Sequence, residues 1–337
     1  MFIKGSYKVT IDGRDVTSRL RPLLKDLCIE RAAGEAADSL DLTLADPYGG
    51  IVMPRDRAPV EVELNGQWGF IGFISEVCCS ISKQEGREIR VSASSVDQGG
   101  KAKQPSLRHK DNAMLGAVAA EWGEKAGLQV QVLGSLASIQ RPYWIQQNES
   151  FISWGQRTAR EVGGTFKILG TRAFISPRNE GISASGRPLT PIHVRVGDNF
   201  IDGSITPVIG RPKFSNVTLS YFDRGKGERV EVDVDTGIDG VDAKLRALVT
   251  VANEDQAKTK GGAVGKESDR EKGQGDVTII GDAIAEPEAE CIVSGWRPGA
   301  DGAYQIHSVS HKVSKQGGFT TSLGLRQPKG GAGKDAR

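Results

Sequence analysis

A ten-residue stretch of this chain occurs twice, and the second copy carries the same irregularity as the first. Val77-Cys-Cys-Ser-Ile81-Ser-Lys-Gln-Glu-Gly86 aligns with Val309-Ser-His-Lys-Val313-Ser-Lys-Gln-Gly-Gly318, sharing the turn Ser-Lys-Gln-x before Gly. At the same offset Ile306 lies over Ile74 and Leu323 over Val91, so apolar positions agree on both arms of a hairpin. Side chains alternate strictly along a strand, yet 74 to 77 and 306 to 309 are odd separations. One extra residue, a β-bulge, absorbs the slip in each copy. The expectation is two copies of one β fold. Ser, Lys, Gln and Gly are also ordinary hairpin residues, so likeness of the two backbones is the deciding observation.

Alternation surrounds both copies. Pro59 to Leu64 alternates, Asn65-Gly66 is a two-residue hairpin signal, and Trp68 to Ile74 resumes an apolar strand. Val77, Cys79 and Ile81 then share one face, Lys83 to Gly86 turns the chain, and Ile89, Val91 and Ala93 share a face on the return. Strands begin again at Pro191. His193 to Val196, Asn216 to Phe222 and Arg229 to Val234 alternate, the last pair across Gly225-Lys-Gly227, and strands run from Val277 to Leu325.

Two stretches interrupt the pattern. After Gln98-Gly-Gly100 and a basic segment, Lys101 to Lys110, Asp111 or Asn112 is expected to cap a helix carrying Leu115, Val118, Ala119 and Trp122 and closing at Gly127. Ser150 is expected to cap a second, with Phe151, Trp154, Thr158 and Val162 on one face and Gly163-Gly164 as its stop, before a strand over Thr165 to Ser176. Farther on, Leu245, Leu248, Val249 and Ala252 have helical spacing within Val241 to Lys258, and the polar stretch Thr259 to Gly275 is expected to be a mobile loop.

The fold class expected is β-rich α+β: two similar tube-like β-barrel domains with an α/β insert and a short helical insert. The boundaries are 1–100 for the first barrel and 101–190 for the α/β insert. The second barrel is discontinuous, 191–235 and 276–328. It holds a helix and loop at 236–275 and is followed by a flexible tail at 329–337.

Reactive chemistry is sparse. The 44 Lys plus Arg nearly balance 42 Asp plus Glu, which gives the whole chain no affinity for nucleic acid or anionic lipid. No apolar run reaches the roughly 18 residues of a membrane span, and the N-terminus does not read as a leader, so a cytoplasmic product with no membrane partner is expected. Cys28, Cys78, Cys79 and Cys291 lack metal spacing and are expected to be buried thiols. His307 and His311 are four apart, but on a strand with no adjacent carboxylate, so no metal is expected. Glu149 could serve a glycosidase as its acid, yet no second carboxylate accompanies it. Gly261-Gly-Ala-Val-Gly265 lacks the Lys-Ser ending of a phosphate loop. Lys101, Lys103, Arg108, His109 and Lys110 could meet phosphate, but no aromatics interleave them. No catalytic residue and no cofactor are expected.

Three stretches resemble the late control protein D family of phage tails, whose members are baseplate hubs similar to the hub-like part of type VI secretion spike proteins. The first is Asn65-Gly-Gln-Trp-Gly-Phe-Ile-Gly-Phe-Ile74. The second is the Gln147-Asn-Glu149-Ser150-Phe151 segment with the helix ending Gly163-Gly164. The third runs from Gly295 through Gly302, Tyr304, Ile306 and His311 to Thr320-Thr321. The resemblance implies a non-enzymatic homotrimer whose six barrels ring the tail channel and adapt a sixfold tube to a threefold central spike. It implies as partners that spike, a tail tube or tube-initiating protein, a tape measure protein and baseplate wedge components, with DNA only in transit. It places the chain in the virion tail, assembled in the host cytoplasm. The motif residues Gln147, Glu149, Ser150, Gly295, Gly302, Tyr304, His311, Thr320 and Thr321 are implied to be structural. A cell-wall hydrolase or glycan-binding module using Glu149, and a nucleic-acid-binding barrel using Lys101 to Lys110, are the competing readings.

Overall fold

The computed structural model describes residues 5–335 other than 179–180, 184, 209–213, 224, 237–241, 252 and 271–272. The first β unit holds β1 (Tyr7–Ile11), β2 (Arg14–Asp15), α1 (Thr17–Leu20), β3 (Leu24–Ala32), β4 (Ser39–Ala45), β5 (Pro59–Leu64), β6 (Gln67–Ser82) and β7 (Gly86–Ser94). An α/β insert follows: β8 (Ser106–Met114), α2 (Leu115–Lys125), β9 (Gln129–Val132), β10 (Gln140–Glu149), α3 (Phe151–Glu161), β11 (Gly164–Leu169) and β12 (Arg172–Pro177). The second β unit opens with β13 (Ile192–Arg195) and β14 (Phe200–Thr206). It is interrupted by β15 (Asn216–Asp223), β16 (Glu228–Asp235), β17 (Lys244–Val251) and α4 (Glu254–Arg270). It then resumes with β18 (Gln274–Ile280), β19 (Glu290–Ser294), β20 (Gly302–Ser314) and β21 (Gly318–Lys329). The protein is β-rich with few helices.

The duplicated sequence is a duplicated backbone. In the first unit Ile74 pairs with Ala93, Glu76 with Ser92 and Ser82 with Gly86, one residue of β6 being skipped between the first two pairs. In the second, Ile306 pairs with Leu325, Ser308 with Gly324 and Ser314 with Gly318, skipping one residue of β20 at the same place. Each bulge falls at the position that the apolar phase requires. The likeness extends further than the sequence match. Leu24 pairs with Leu44 and Asp26 with Thr43 across a bulge, and Phe200 with Ile279 and Asp202 with Thr278 across another. The strand order is therefore β3-β4-β7-β6-β5 in one unit and β14-β18-β21-β20-β19 in the other.

The expected pair of separate barrels is not what the pairing gives. Ser308–Ser314 of β20 bonds to Ala32–Asp26 of β3, so both units run into one 13-stranded sheet that is open from β14 to β2 among the described residues. The cores merge accordingly: Val313 and Phe319 of the second unit pack with Leu27, Ile29 and Leu42 of the first. A separate core under β18–β21 holds Ile279, Tyr304, Ile306 and Leu323. Hydrogen bonding to the other unit covers an edge that would otherwise expose unpaired backbone groups.

Both helices of the insert form as their spacing implies, around an aromatic cluster in which Trp122 and Trp154 ring centroids lie 5.0 Å apart. Ser150 caps α3, its Oγ accepting from Ser153 N at 3.0 Å. The cap expected for α2 is absent: Asp111 and Asn112 belong to β8, and Met114 occupies the cap position without a side-chain bond. The basic segment is likewise no mere connection, since Arg108, His109 and Lys110 pair with Gln146, Ile145 and Trp144 of β10.

The helical spacing at 245–252 misleads. Lys244–Val251 is a strand parallel to β15, and the helix begins only at Glu254, near the end of the stretch expected to be helical, and runs to Arg270 through most of the stretch expected to be a loop from Thr259 onward. Asn253 Oδ1 accepts from Gln256 N at 2.9 Å, capping α4, and Ala257 is fully buried against β15 and β16. The end of the chain packs as far as Asp335 instead of trailing freely: Gly333 N donates to Gly299 O and Ala332 enters the second core. The last two residues of the expected tail lie outside the described residues.

Candidate functional site

The nine motif residues do not converge on one pocket. Gln147 is exposed at the end of β10, with Glu149 and Ser150 leading into α3. Arg157 holds Glu149, its Nη2 donating to Oε1 at 2.5 Å, and reaches Glu161 at 3.4 Å. Arg141 takes the second oxygen of Glu161 at 2.8 Å. The would-be glycosidase acid Glu149 and its neighbour Glu161 are thus both committed to arginines, an arrangement that ties the start of α3 to its last turn.

The C-terminal motif spans the second unit from its own core to the joint with the first, where His311 lies. His311 is 1% exposed, faces Thr321 on β21 and Ile29 on β3, and its Nδ1 lies 3.1 Å from Thr321 Oγ1. Burial, assisted by the positive charge of Arg31, lowers its pKa to about 3. Thr321 Oγ1 also accepts from Asp282 N at 2.9 Å, while Thr320 pairs with Lys312 and Ile280. Tyr304 is fully buried, its hydroxyl donates to Ala300 O at 2.7 Å, and burial pushes its pKa up to about 12. Gly302 admits the C-terminal turn, because a Cβ there would lie 2.6 Å from Ala332 N. Gly295 has φ +80° beside Val196, a left-handed position that favours glycine.

His307 lies at the bulge of β20, four residues before the buried His311. Among the described residues no group of three His, Cys, Asp or Glu side chains is placed to hold a metal. No helix among them is long and apolar enough to cross a membrane. The cysteine expectation fails in part. Cys291 is buried, its pKa pushed up to about 12, and Cys28 is half-buried, but Cys78 and Cys79 are exposed on β6.

What the fold does present is open strand edges, exposed apolar side chains and a cleft. Beyond Phe73, which lies opposite the first residue of β5, Glu76–Ser82 of β6 pairs among the described residues only with β7, and Ile81 is 73% exposed. β14 ends the sheet at the opposite side, with Ile201 exposed. The loop after β4 carries Tyr48 and Val52 at 95% and 89% exposure. A cleft of about 540 Å³ lies where the first unit, the insert and the second unit meet, lined by Trp68, Phe70, Lys167, Phe174 and Pro287. Sequence reading missed these edges. Alternation identifies a strand but not whether both its flanks are occupied.

Comparison with known proteins gives this surface a context. No model of a known protein family matches the chain. The probable baseplate hub protein of Escherichia phage P2 is 23% identical over 64% of this chain, a match spanning 56% of that relative's length. The probable baseplate hub protein of Escherichia phage 186 is 23% identical over 95% of this chain and 92% of its own. This chain resembles phage baseplate hubs. The 43 kDa tail protein of prophage MuSo2 from Shewanella oneidensis has the same fold, with a TM-score of 0.70 at 14% identity over 95% of this chain and 98% of that one. So does a type VI secretion system component of E. coli, with a TM-score of 0.59 at 11% identity over 98% and 79%. The likeness read from the three sequence motifs is borne out.

Proposed function

We propose that the chain is the structural hub of a contractile-tail baseplate, a homotrimer that adapts a sixfold tail tube to a threefold central spike around the tail channel. The observation that carries this reading is the duplicated β unit with its matching bulges. A chain with two similar units lets three copies offer six similar surfaces on one side while remaining threefold on the other. The full-length similarity to the baseplate hub protein of phage 186 supports it.

On this reading the division at residues 100, 190 and 328, with the insert at 236–275, separates two tube-like units from the elements decorating them. The spike, the tube or its initiating protein, the tape measure and the baseplate wedges are the partners, and DNA passes without being read. The protein acts by binding, in the virion tail. Light scattering of the pure protein should give a trimer, and a pull-down with the spike encoded beside it should capture that spike. A monomer that ignores the spike would overturn the reading. Clearing on peptidoglycan zymograms that Glu149→Gln abolishes would favour the hydrolase instead.

A further inference from the structure

The groove where the first unit, the insert and the second unit meet has two parts of different character. The cleft of about 540 Å³ is walled by Ile71, Leu169, Phe174 and Pro287, with Trp68 50% exposed along it. Beside it lies a recess of about 220 Å³ whose arginines come from separate elements: Arg160 in the last turn of α3, Arg178 just after β12 and Arg326 on β21. Ala33 and Glu288 line both parts, and Arg178 Nε, in the recess, donates to Thr165 Oγ1, in the cleft, at 2.8 Å. Cleft and recess are therefore one groove.

Its walls are fixed by the fold. Arg31 Nη2 donates to Gly69 O and, at 3.4 Å, to Trp68 O, which sets the backbone carrying the Trp68 ring. Gly170, between β11 and β12, comes so close to Ile71 that a Cβ would lie 3.3 Å from its Cγ2. Glu288, where the two parts join, has φ +71°, its N–H donating to Ile306 O at 2.8 Å and its carbonyl accepting from Gln305 Nε2 at 2.7 Å. A non-glycine residue persists in that region where its neighbours over-determine it.

The fold does not use all of the groove's cations. Lys167 lies on Asp38 and Arg187 on Glu286. Arg172 in the cleft, and Arg160 and Arg326 in the recess, make no hydrogen bond or ion pair among the described residues, although Glu61 and Glu35 line the same walls. An apolar cleft that ends in convergent cations suits a ligand apolar on one side and anionic on the other.

We infer that this groove receives an extended segment of a partner protein, with an aromatic or branched apolar side chain against Trp68 and Ile71 and a neighbouring carboxylate on Arg160 and Arg326. A carboxylate meets guanidinium groups through charge-assisted, bidentate hydrogen bonds. Consecutive residues of an extended chain advance by about 3.3 Å, so one short segment reaches both parts. A basic segment would meet Arg172 at one end and Arg160 and Arg326 at the other, and like charges reject it. The inference rests on the hub reading only for the occupant being a protein.

An array of overlapping peptides from the tail proteins encoded beside this chain tests it. Probed with the full chain, the bound peptides should carry an aromatic residue, leucine or isoleucine next to aspartate or glutamate. Replacing that acid by its amide should weaken binding about tenfold. Trp122, Trp144 and Trp154 are buried and Trp296 is half-buried, so a bound tryptophan-free peptide should reduce acrylamide quenching, and Trp68→Phe should remove the change. Ile71→Asp and Arg326→Gln should keep the native circular dichroism and weaken binding, Arg326→Gln by about tenfold. An array with no bound peptide, a bound set without the apolar and acidic neighbours, or equal binding to both variants would overturn the inference. A trimer that captures the spike but binds no array peptide would leave the hub reading standing without it. A monomer that ignores the spike yet binds the expected peptides would uphold the groove alone.

Discussion

His311 shows how much one side chain can hold. It lies between β3 and β21 at the joint of the two β units, neutral because burial and the charge of Arg31 oppose its protonation. An unfolded imidazole takes up its proton near 6.5, the folded one only at about 3. As pH falls through that interval the unfolded chain binds a proton that the folded chain refuses, so stability present above 6.5 is lost towards acid. The loss is at most about 1.4 kcal/mol per pH unit. His311→Gln should flatten this part of the acid limb in urea titrations at successive pH values. Equal slopes in the two proteins would show that the joint does not depend on the charge state of His311.

At the scale of elements, the insert helices were legible because their signals are local. Ser150 accepts from the backbone three residues on, a bond that α3 makes by itself, and Ser150→Ala should cost about 1 kcal/mol in chemical denaturation, with Ser150→Asp restoring most of it. Asn65-Gly66 likewise turns β5 into β6 with both residues at positive φ, as a two-residue hairpin requires. The stretch 241–275 was misread because its decisive contacts are distant. Leu245, Ala247 and Val251 alternate towards the small core beside β15, and α4 lies over that sheet with Gly261 so close that a Cβ would meet Val234 at 2.7 Å. Neither neighbour can be deduced from a polar, glycine-containing run, although Asn253 followed by Glu254 and Asp255 was an available start signal.

For the whole molecule, a buried ion pair joins the first unit to the insert. Lys167 Nζ lies 2.5 Å from Asp38 Oδ1, with the side chains 8% and 4% exposed, and also donates to Glu35 O at 3.3 Å. Around it, Ser95 Oγ donates to Ile168 O at 2.7 Å, and Ile168 N donates to Ala36 O at 2.8 Å. Lys167→Met should leave the buried Asp38 carboxylate with Arg31 Nε, 4.0 Å away, as its remaining cation and cost about 3 kcal/mol, measured by denaturant unfolding. Adding Asp38→Asn should recover most of the loss, because the buried charge is then gone. A loss that persists in the double variant would assign the effect to packing.

The duplicated hairpin marks the division between what the residues settle alone and what the fold settles. Its strands, its turn and its bulge are all set by side chains a few positions apart, and the sequence by itself determined them in both copies. Whether Val313 and Ile81 are buried or bare was decided only by the tertiary structure, since it depends on which distant strand lies alongside. Alternation fixes the face a side chain points from, but a strand edge is a row of backbone N–H and C=O groups that any strand can satisfy. In this chain β3 satisfies one such edge, and among the described residues no strand lies alongside the equivalent edge on β6.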